Sequence, residues 1–172
     1  MFLRAMRWDD TDKLMSFING LVDEKQEGKG SEIFTGFEEK LTRDDEASWV
    51  ADQIVKLENL EMVSVLAEVS GRIVGVGQIT KGHYRETRHH GELGLTVLAS
   101  HRGIGIGKQM IRILLREAKK IGVKNVDVEF LAANRAAANA YERAGFTEVG
   151  KIPGKVQRDR KLLDSMIMAR KL

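Results

Sequence analysis

Gly91-Glu-Leu-Gly-Leu-Thr-Val-Leu-Ala-Ser100 runs directly into His101-Arg-Gly-Ile-Gly-Ile-Gly-Lys108. The apolar run Leu93 to Leu98 has the length and composition of a β-strand and stops at the polar turn Ala99-Ser100-His101. From Gly107 onward the apolar positions Ile111, Leu114, Ala118 and Ile121 recur at helical spacing, so the glycines mark a strand-to-helix turn. The first amides of a helix lack intrahelical partners and sit at the positive end of its dipole. Glycine lets an anion approach them without meeting a Cβ, so this turn is a candidate phosphate site.

Spacing separates the phosphate-binding patterns. A dinucleotide fingerprint needs a third glycine at position 108 or 110, where Lys108 and Met110 stand. A P-loop ending at Gly107-Lys108 needs glycine at 102 and Ser or Thr at 109, where Arg102 and Gln109 stand. What remains is Arg-x-x-Gly-x-Gly over Arg102 to Gly107, which resembles the pyrophosphate loop of the GNAT superfamily of N-acetyltransferases. A second block, Asn134-Arg-Ala-Ala137-Ala-Asn-Ala-Tyr141-Glu142-Arg-Ala-Gly145-Phe146, resembles that superfamily's second signature. The similarity runs from about Met62 to Phe146, and Lys155 to Met168 resembles the last hairpin of the small amine and amino-acid branch.

The resemblance implies a mixed α/β fold with about seven mostly antiparallel strands and four helices. It also implies acetyl-CoA as co-substrate and direct transfer of acetyl to a primary amine, without a covalent enzyme intermediate. The expected acceptor is a small amine or amino acid. Acetylation of a protein N-terminus and a non-catalytic CoA-binding module remain the alternatives.

Composition sets outer bounds. At 172 residues the chain is expected to be one domain, 1–172, able to bury about 70% of its unfolded surface. Without cysteine it has no disulfide, thiolate metal site or acetyl-cysteine intermediate. The early charges at Arg4 and Arg7 do not suit a signal peptide, and no apolar run reaches membrane-spanning length, so a cytoplasmic location is expected. A formal charge of +3 suits an anionic co-substrate and does not argue for nucleic acid or a membrane surface. A homodimer stays open.

Along the chain, Phe2 to Met6 reads as a strand and Asp9, Asp10 and Thr11 as caps for a helix carrying Leu14, Phe17, Ile18 and Leu21. Asp23 to Thr42 lacks a period and reads as a loop; it is an ordinary surface connection or, as the resemblance implies, one wall of the acceptor pocket. Arg43 opens a second helix, and Met62 to Val69 and Arg72 to Thr80 form a hairpin at Ser70-Gly71. Lys81 to His90 holds three of the four histidines with no helical pairing, and no metal site is expected. Val123 to Leu131 is a strand, Asn134 to Ala144 a helix, and Phe146 to Lys151 a strand broken at Pro153-Gly154. Leu162 to Arg170 closes the sheet.

Roles follow from the resemblance. Arg102, Gly103, Ile104, Gly105, Ile106, Gly107 and Lys108 are expected to hold the pyrophosphate, and the backbones of Val97 and Ala99 the pantetheine arm. The Val97 N–H also suits polarisation of the thioester carbonyl. Asn134 offers an amide to the pantetheine or caps its own helix. Tyr141 lies two helical turns beyond Asn134, and a phenol with pKa near 10 suits protonation of a departing thiolate. Glu92, at the head of the strand, is the candidate base for the amine.

Overall fold

The computed structural model describes residues 1–29 and 39–172. Seven strands form one sheet: β1 (Phe2–Arg4), β2 (Met62–Val69), β3 (Arg72–Lys81), β4 (His90–Val97), β5 (Asn125–Leu131), β6 (Thr147–Arg158) and β7 (Lys161–Lys171). Their spatial order is β1-β2-β3-β4-β5-β7-β6, and every neighbouring pair is antiparallel except β4 with β5. Four helices, α1 (Thr11–Gln26), α2 (Arg43–Glu58), α3 (Ile106–Lys120) and α4 (Arg135–Arg143), complete the mixed α/β architecture that the motifs implied.

Amphipathic spacing decides which face each helix covers. Helix α3 buries Ile106, Met110, Ile111, Leu114, Leu115 and Ala118 on a core shared with β2 to β5 and with Tyr141 of α4. Helices α1 and α2 pack together on a second core built from Leu14, Phe17, Ile18, Leu21, Val50 and Ile54 against Leu66 and Ile73. A Cβ on Gly77 of β3 would stand 2.8 Å from Leu95 and 2.9 Å from Leu114, so the missing side chain is what lets α3 lie this close to the sheet. The β2–β3 turn has positive φ at both Ser70 (49°) and Gly71 (80°), which matches the twist of the flanking strands.

Three expectations change. The first strand ends at Arg4, because Asp10 draws Arg4 into a 2.6 Å ion pair and accepts the Arg7 N–H, while the Met6 N–H goes to Ser64 Oγ. The expected loop from Asp23 is helical through Gln26, so α1 outruns the apolar stripe that announced it. Residues 30–38, with Ile33, Phe34 and Phe37 of the expected pocket wall, lie outside the described residues. Finally, β6 continues through Pro153 to Arg158, with its register broken between Ile152 and Val156. An outer strand tolerates a proline that cannot donate to the ladder, and the Gly154 N–H is satisfied by Asp164 at 2.9 Å.

One buried charge costs stability. Glu46, in the first turn of α2, is 1% exposed, and neither carboxylate oxygen has a hydrogen-bond partner among the described residues. Burial pushes its pKa up to about 7. Unfolded, the group ionises near 4.5; folded, it keeps its proton to about 7, so stability falls as pH rises through that window. The full penalty is about 3 kcal/mol above pH 7. Glu46→Gln should flatten this slope, raising the melting temperature above pH 7 and leaving it nearly unchanged at pH 4.5. Parallel melting curves from pH 4.5 to 8 for the two proteins would refute the assignment.

Candidate active site

The site begins where two strands part. β4 and β5 pair only at His90–Asn125, Gly91–Val126 and Glu92–Asp127, while β4 keeps β3 as partner to Val97 and β5 keeps β7 to Leu131. The Leu98 N–H donates to Val74 O at 2.9 Å on the β3 side. Hydrogen-bonding direction alternates along an antiparallel ladder, so Leu95 and Val97 turn their N–H and C=O groups away from β3, into the opening. The opening is a cleft of about 290 Å³, lined on one side by Leu93 to Val97 and on the other by Val128, Phe130, Asn134 and Tyr141.

At the end of β4 the chain turns through Ala99–His101 and enters α3 across Gly103 (φ 77°) and Gly105 (φ 89°). A Cβ at either glycine would meet nothing within 4 Å, so the left-handed backbone, not crowding, requires them. Gly105 is the N-cap and supplies no side chain, which leaves the first amides of α3 without a side-chain cap. Lys108 and Ile104 are exposed around this turn, Ile106 is buried beneath it, and a Cβ on Gly107 would stand 3.6 Å from Leu95 Cδ2.

Glu24, in the last turn of α1, braces the turn. One carboxylate oxygen accepts the Ala99 N–H at 2.6 Å and the other accepts from Arg102 Nη2 at 2.8 Å. Arg102 Nε in turn donates to Val97 O at 2.7 Å. The Ala99 N–H and the Arg102 side chain, expected to face the co-substrate, are therefore both engaged in this brace. Of the Val97 groups, the carbonyl is taken by Arg102, and the N–H faces the cleft. Sequence reading missed Glu24 because the partners are 75 and 78 positions away; the available signal was the uninterrupted run of helix formers from Glu24 to Glu27.

Asn134 caps α4, its Oδ1 accepting the Ala137 N–H at 2.9 Å, and it also lines the cleft. Tyr141 is 5% exposed, with its ring 5.3 Å from that of Phe130 and 5.6 Å from that of Phe146. Burial raises the phenol above its ordinary pKa, so it holds its proton more tightly than a free tyrosine. Glu92 is exposed, and alternation along β4 puts it on the sheet face opposite the α3 core that buries Leu93 and Val97. It does not line the cleft; it stands at the fork, in register with Asp127, whose carboxylate lies 2.5 Å from His90 Nε2. The structure thus groups Val97, Asn134 and Tyr141 around one cleft with the glycine turn at its mouth, and sets Glu92 on the far side of the sheet. Among the described residues no three His, Asp or Glu side chains converge as metal ligands.

Comparison with known proteins agrees with this geometry. The model of the acetyltransferase (GNAT) family matches residues 27–146. A Bacillus subtilis protein named provisionally as a phosphinothricin acetyltransferase, YwnH, is 28% identical over 81 residues, 47% of this chain and 50% of that protein. The matched stretch thus spans about half the length of that relative. A ribosomal-protein-alanine N-acetyltransferase from Brucella melitensis superposes with a TM-score of 0.84 at 22% identity, covering 100% of both chains. The Salmonella typhimurium protein yncA, solved with acetyl-CoA, superposes at 0.82 with 18% identity over 99% of this chain and 93% of that one.

The brace makes a local prediction. Glu24→Gln should cost about 1–2 kcal/mol, since the pair is only partly exposed, and should speed hydrogen exchange at the Ala99 amide about tenfold or more. The Thr96 amide, on the β3 side, should keep its protection. Unchanged exchange at Ala99 would show that the bond does not hold the turn.

Proposed function

The chain belongs to the acetyltransferase (GNAT) family, and on that premise we propose that it transfers acetyl from acetyl-CoA directly to the primary amine of a small amine or amino acid. The observation that carries this reading is the fork between β4 and β5, which opens beside a helix N-terminus free of any side-chain cap. A phosphate-bearing thioester needs both: amides for its charge and a slot for its arm.

In this reading the amides of Gly103 to Lys108 receive the pyrophosphate, with the Lys108 ammonium adding charge. The arm lies along the inner edge of β4, where Leu95 and Val97 present backbone groups, and the Asn134 amide supplies a donor from across the cleft. The Val97 N–H donates to the thioester carbonyl as it becomes an oxyanion. Arg102 acts with Glu24 by fixing the Val97 carbonyl, and therefore the plane of the peptide beyond it. Glu92 takes a proton from the ammonium form of the acceptor, through water, on the opposite face. The amine attacks the carbonyl carbon, its nitrogen gives up a proton to water as the C–S bond breaks, and the departing sulfur receives the Tyr141 proton. The phenol recovers its proton from solvent after the thiol leaves.

Burial of Tyr141 refines that last step. A thiol titrates near 8.5, and a phenol raised above 10 is the weaker acid, so complete proton transfer runs uphill. The phenol therefore contributes first as a hydrogen-bond donor that strengthens as charge gathers on sulfur. Its raised pKa also means that it stays protonated through the alkaline range where the amine becomes neutral. Turnover should rise with pH as the acceptor loses its proton and stay level to pH 10, with no falling limb from Tyr141. A basic limb near 9 that vanishes in Tyr141→Phe would overturn this. The same substitution should lower kcat about 10²–10³-fold while changing CoA affinity less than threefold.

Calorimetry with CoA and with acetyl-CoA tests the premise, and thiol release over free amines, amino acids and peptide N-termini tests the acceptor. The small-acceptor reading draws support from the name of the 28% identical relative. Release with peptides alone would replace it by a protein N-terminus, and CoA binding without any release would leave a binding module. Glu24→Gln and Arg102→Ala should each weaken CoA by about 3–10-fold, and the double variant should be no worse than the poorer single, because both break one brace. Additive losses would show that Arg102 meets the phosphates on its own.

A further inference from the structure

Beyond the cleft, a groove of about 880 Å³ runs between α3 and α4, floored by the end of β7. Its rim carries Lys108, Arg112, Arg116 and Lys119 from α3, Arg143 from α4, and Arg170 and Lys171 from β7, and no acidic residue lines it. Some of these cations have partners: Arg116 pairs with Glu117 at 2.8 Å, and Arg170 donates to the Ala144 carbonyl. Arg112, Lys119, Arg143 and Lys171 are exposed and have no ion pair or side-chain hydrogen bond among the described residues. So much unneutralised like charge along one groove is a self-repulsion that an anionic occupant would relieve.

The shape of the charge narrows the occupant. The α3 cations Lys108, Arg112, Arg116 and Lys119 follow one another at steps of four, four and three residues, about 4.5–6 Å along the helix axis, in a line rather than converging on a point. A compact anion such as a single phosphate would meet one or two of them. Alternate residues of an extended polypeptide are about 6.6 Å apart, close to that repeat. No aromatic side chain lines the groove, so it has nothing on which nucleobases could stack. The floor is apolar at Leu115, Ala144, Ala169 and Leu172, which suits the aliphatic parts of a peptide. We propose that this groove is a docking site for an acidic, extended polypeptide segment, lying beyond the Lys108 end that faces the co-substrate. The proposal stands apart from the acetyl-transfer reading, since it requires neither Tyr141 nor the glycine turn.

The test is fluorescence anisotropy on the full chain with a labelled 12-residue alternating Glu-Ser peptide, run with and without saturating CoA, beside a Lys-Ser peptide and a 12-nucleotide oligo-dT strand. The Glu-Ser peptide should bind at 50 mM NaCl, weaken tenfold or more by 300 mM, and keep its affinity within twofold when CoA is added. Arg116→Glu combined with Lys119→Glu should weaken it at least tenfold, whereas Arg72→Glu on the distant hairpin should not. If the double reversal lowers the melting temperature, Arg143→Gln on α4 serves in its place, with an expected loss of at least threefold. Displacement by CoA would reassign the groove to the co-substrate, and oligo-dT binding as tightly as the Glu-Ser peptide would reassign it to nucleic acid. Either result, or equal affinity of wild type and reversal, overturns the proposal. Failure of CoA to bind in calorimetry would remove the enzyme reading and leave this one intact.

Discussion

The arrangement depends on a ladder that stops early. β4 and β5 share three registered pairs and then separate, although each continues with its other neighbour. Backbone N–H and C=O groups inside a sheet are ordinarily consumed by the next strand, and leaving them without a partner is costly away from water. Here the inner edge of β4 from Leu95 to Val97 borders a cleft instead, so its polar groups, apart from the Val97 carbonyl taken by Arg102, remain available to something that is not the next strand. The brace from Glu24 follows from the same constraint. A strand released from one neighbour needs another restraint at its free end, and Glu24 supplies it by joining the last turn of α1 to Ala99 and Arg102.

That constraint also sorts charge between the two faces of the sheet. On the α3 side the cleft meets the amide-rich end of a helix and then the basic groove. On the other side, alternation along the strands places Glu92 beside Asp127, with Glu129 two residues farther along β5. Asp127 and Glu129 are paired with His90 and Lys155, which leaves Glu92 as the acid that the proposed transfer would use toward an amine on this face, with the anionic co-substrate on the other and the fork between them.

The parts of the molecule legible in the sequence were those set by local rules. Glycines at 103 and 105 are demanded by positive φ, the stripe from Ile106 to Ala118 by burial of one helical face, and Asn134 by an uncapped N-terminus. What escaped was set by contacts between distant segments. Glu24 was hidden in a charged run whose helical state the fading apolar period did not announce. Pro153 reads as a break, yet an outer strand asks for hydrogen bonds on one side only and carries the proline through a bulge. The cations at 112 to 119 recur at steps of about four on one helix and read in sequence as a solvated face; only the packing of α4 and β7 beside α3 brings Arg143, Arg170 and Lys171 to them.

Tyr141 shows why a residue's type and its place must be read together. As a free phenol it is a fair match for a thiolate; packed between Phe130 and Phe146 it is a poorer acid and a better-fixed donor. The same low-dielectric surroundings that penalise a phenolate strengthen a hydrogen bond to a developing negative charge, because neither partner has water to fall back on. In the proposed transfer, burial shifts the contribution of Tyr141 from the pool of exchangeable protons toward stabilisation of charge at one fixed point. That shift is useful only if the sulfur arrives at the same point on every turnover. On that proposal the arm has to be held by the β4 edge and the glycine turn, and so by the brace that fixes them, which would make Glu24, on the opposite side of the sheet from Tyr141, part of what makes a buried tyrosine effective.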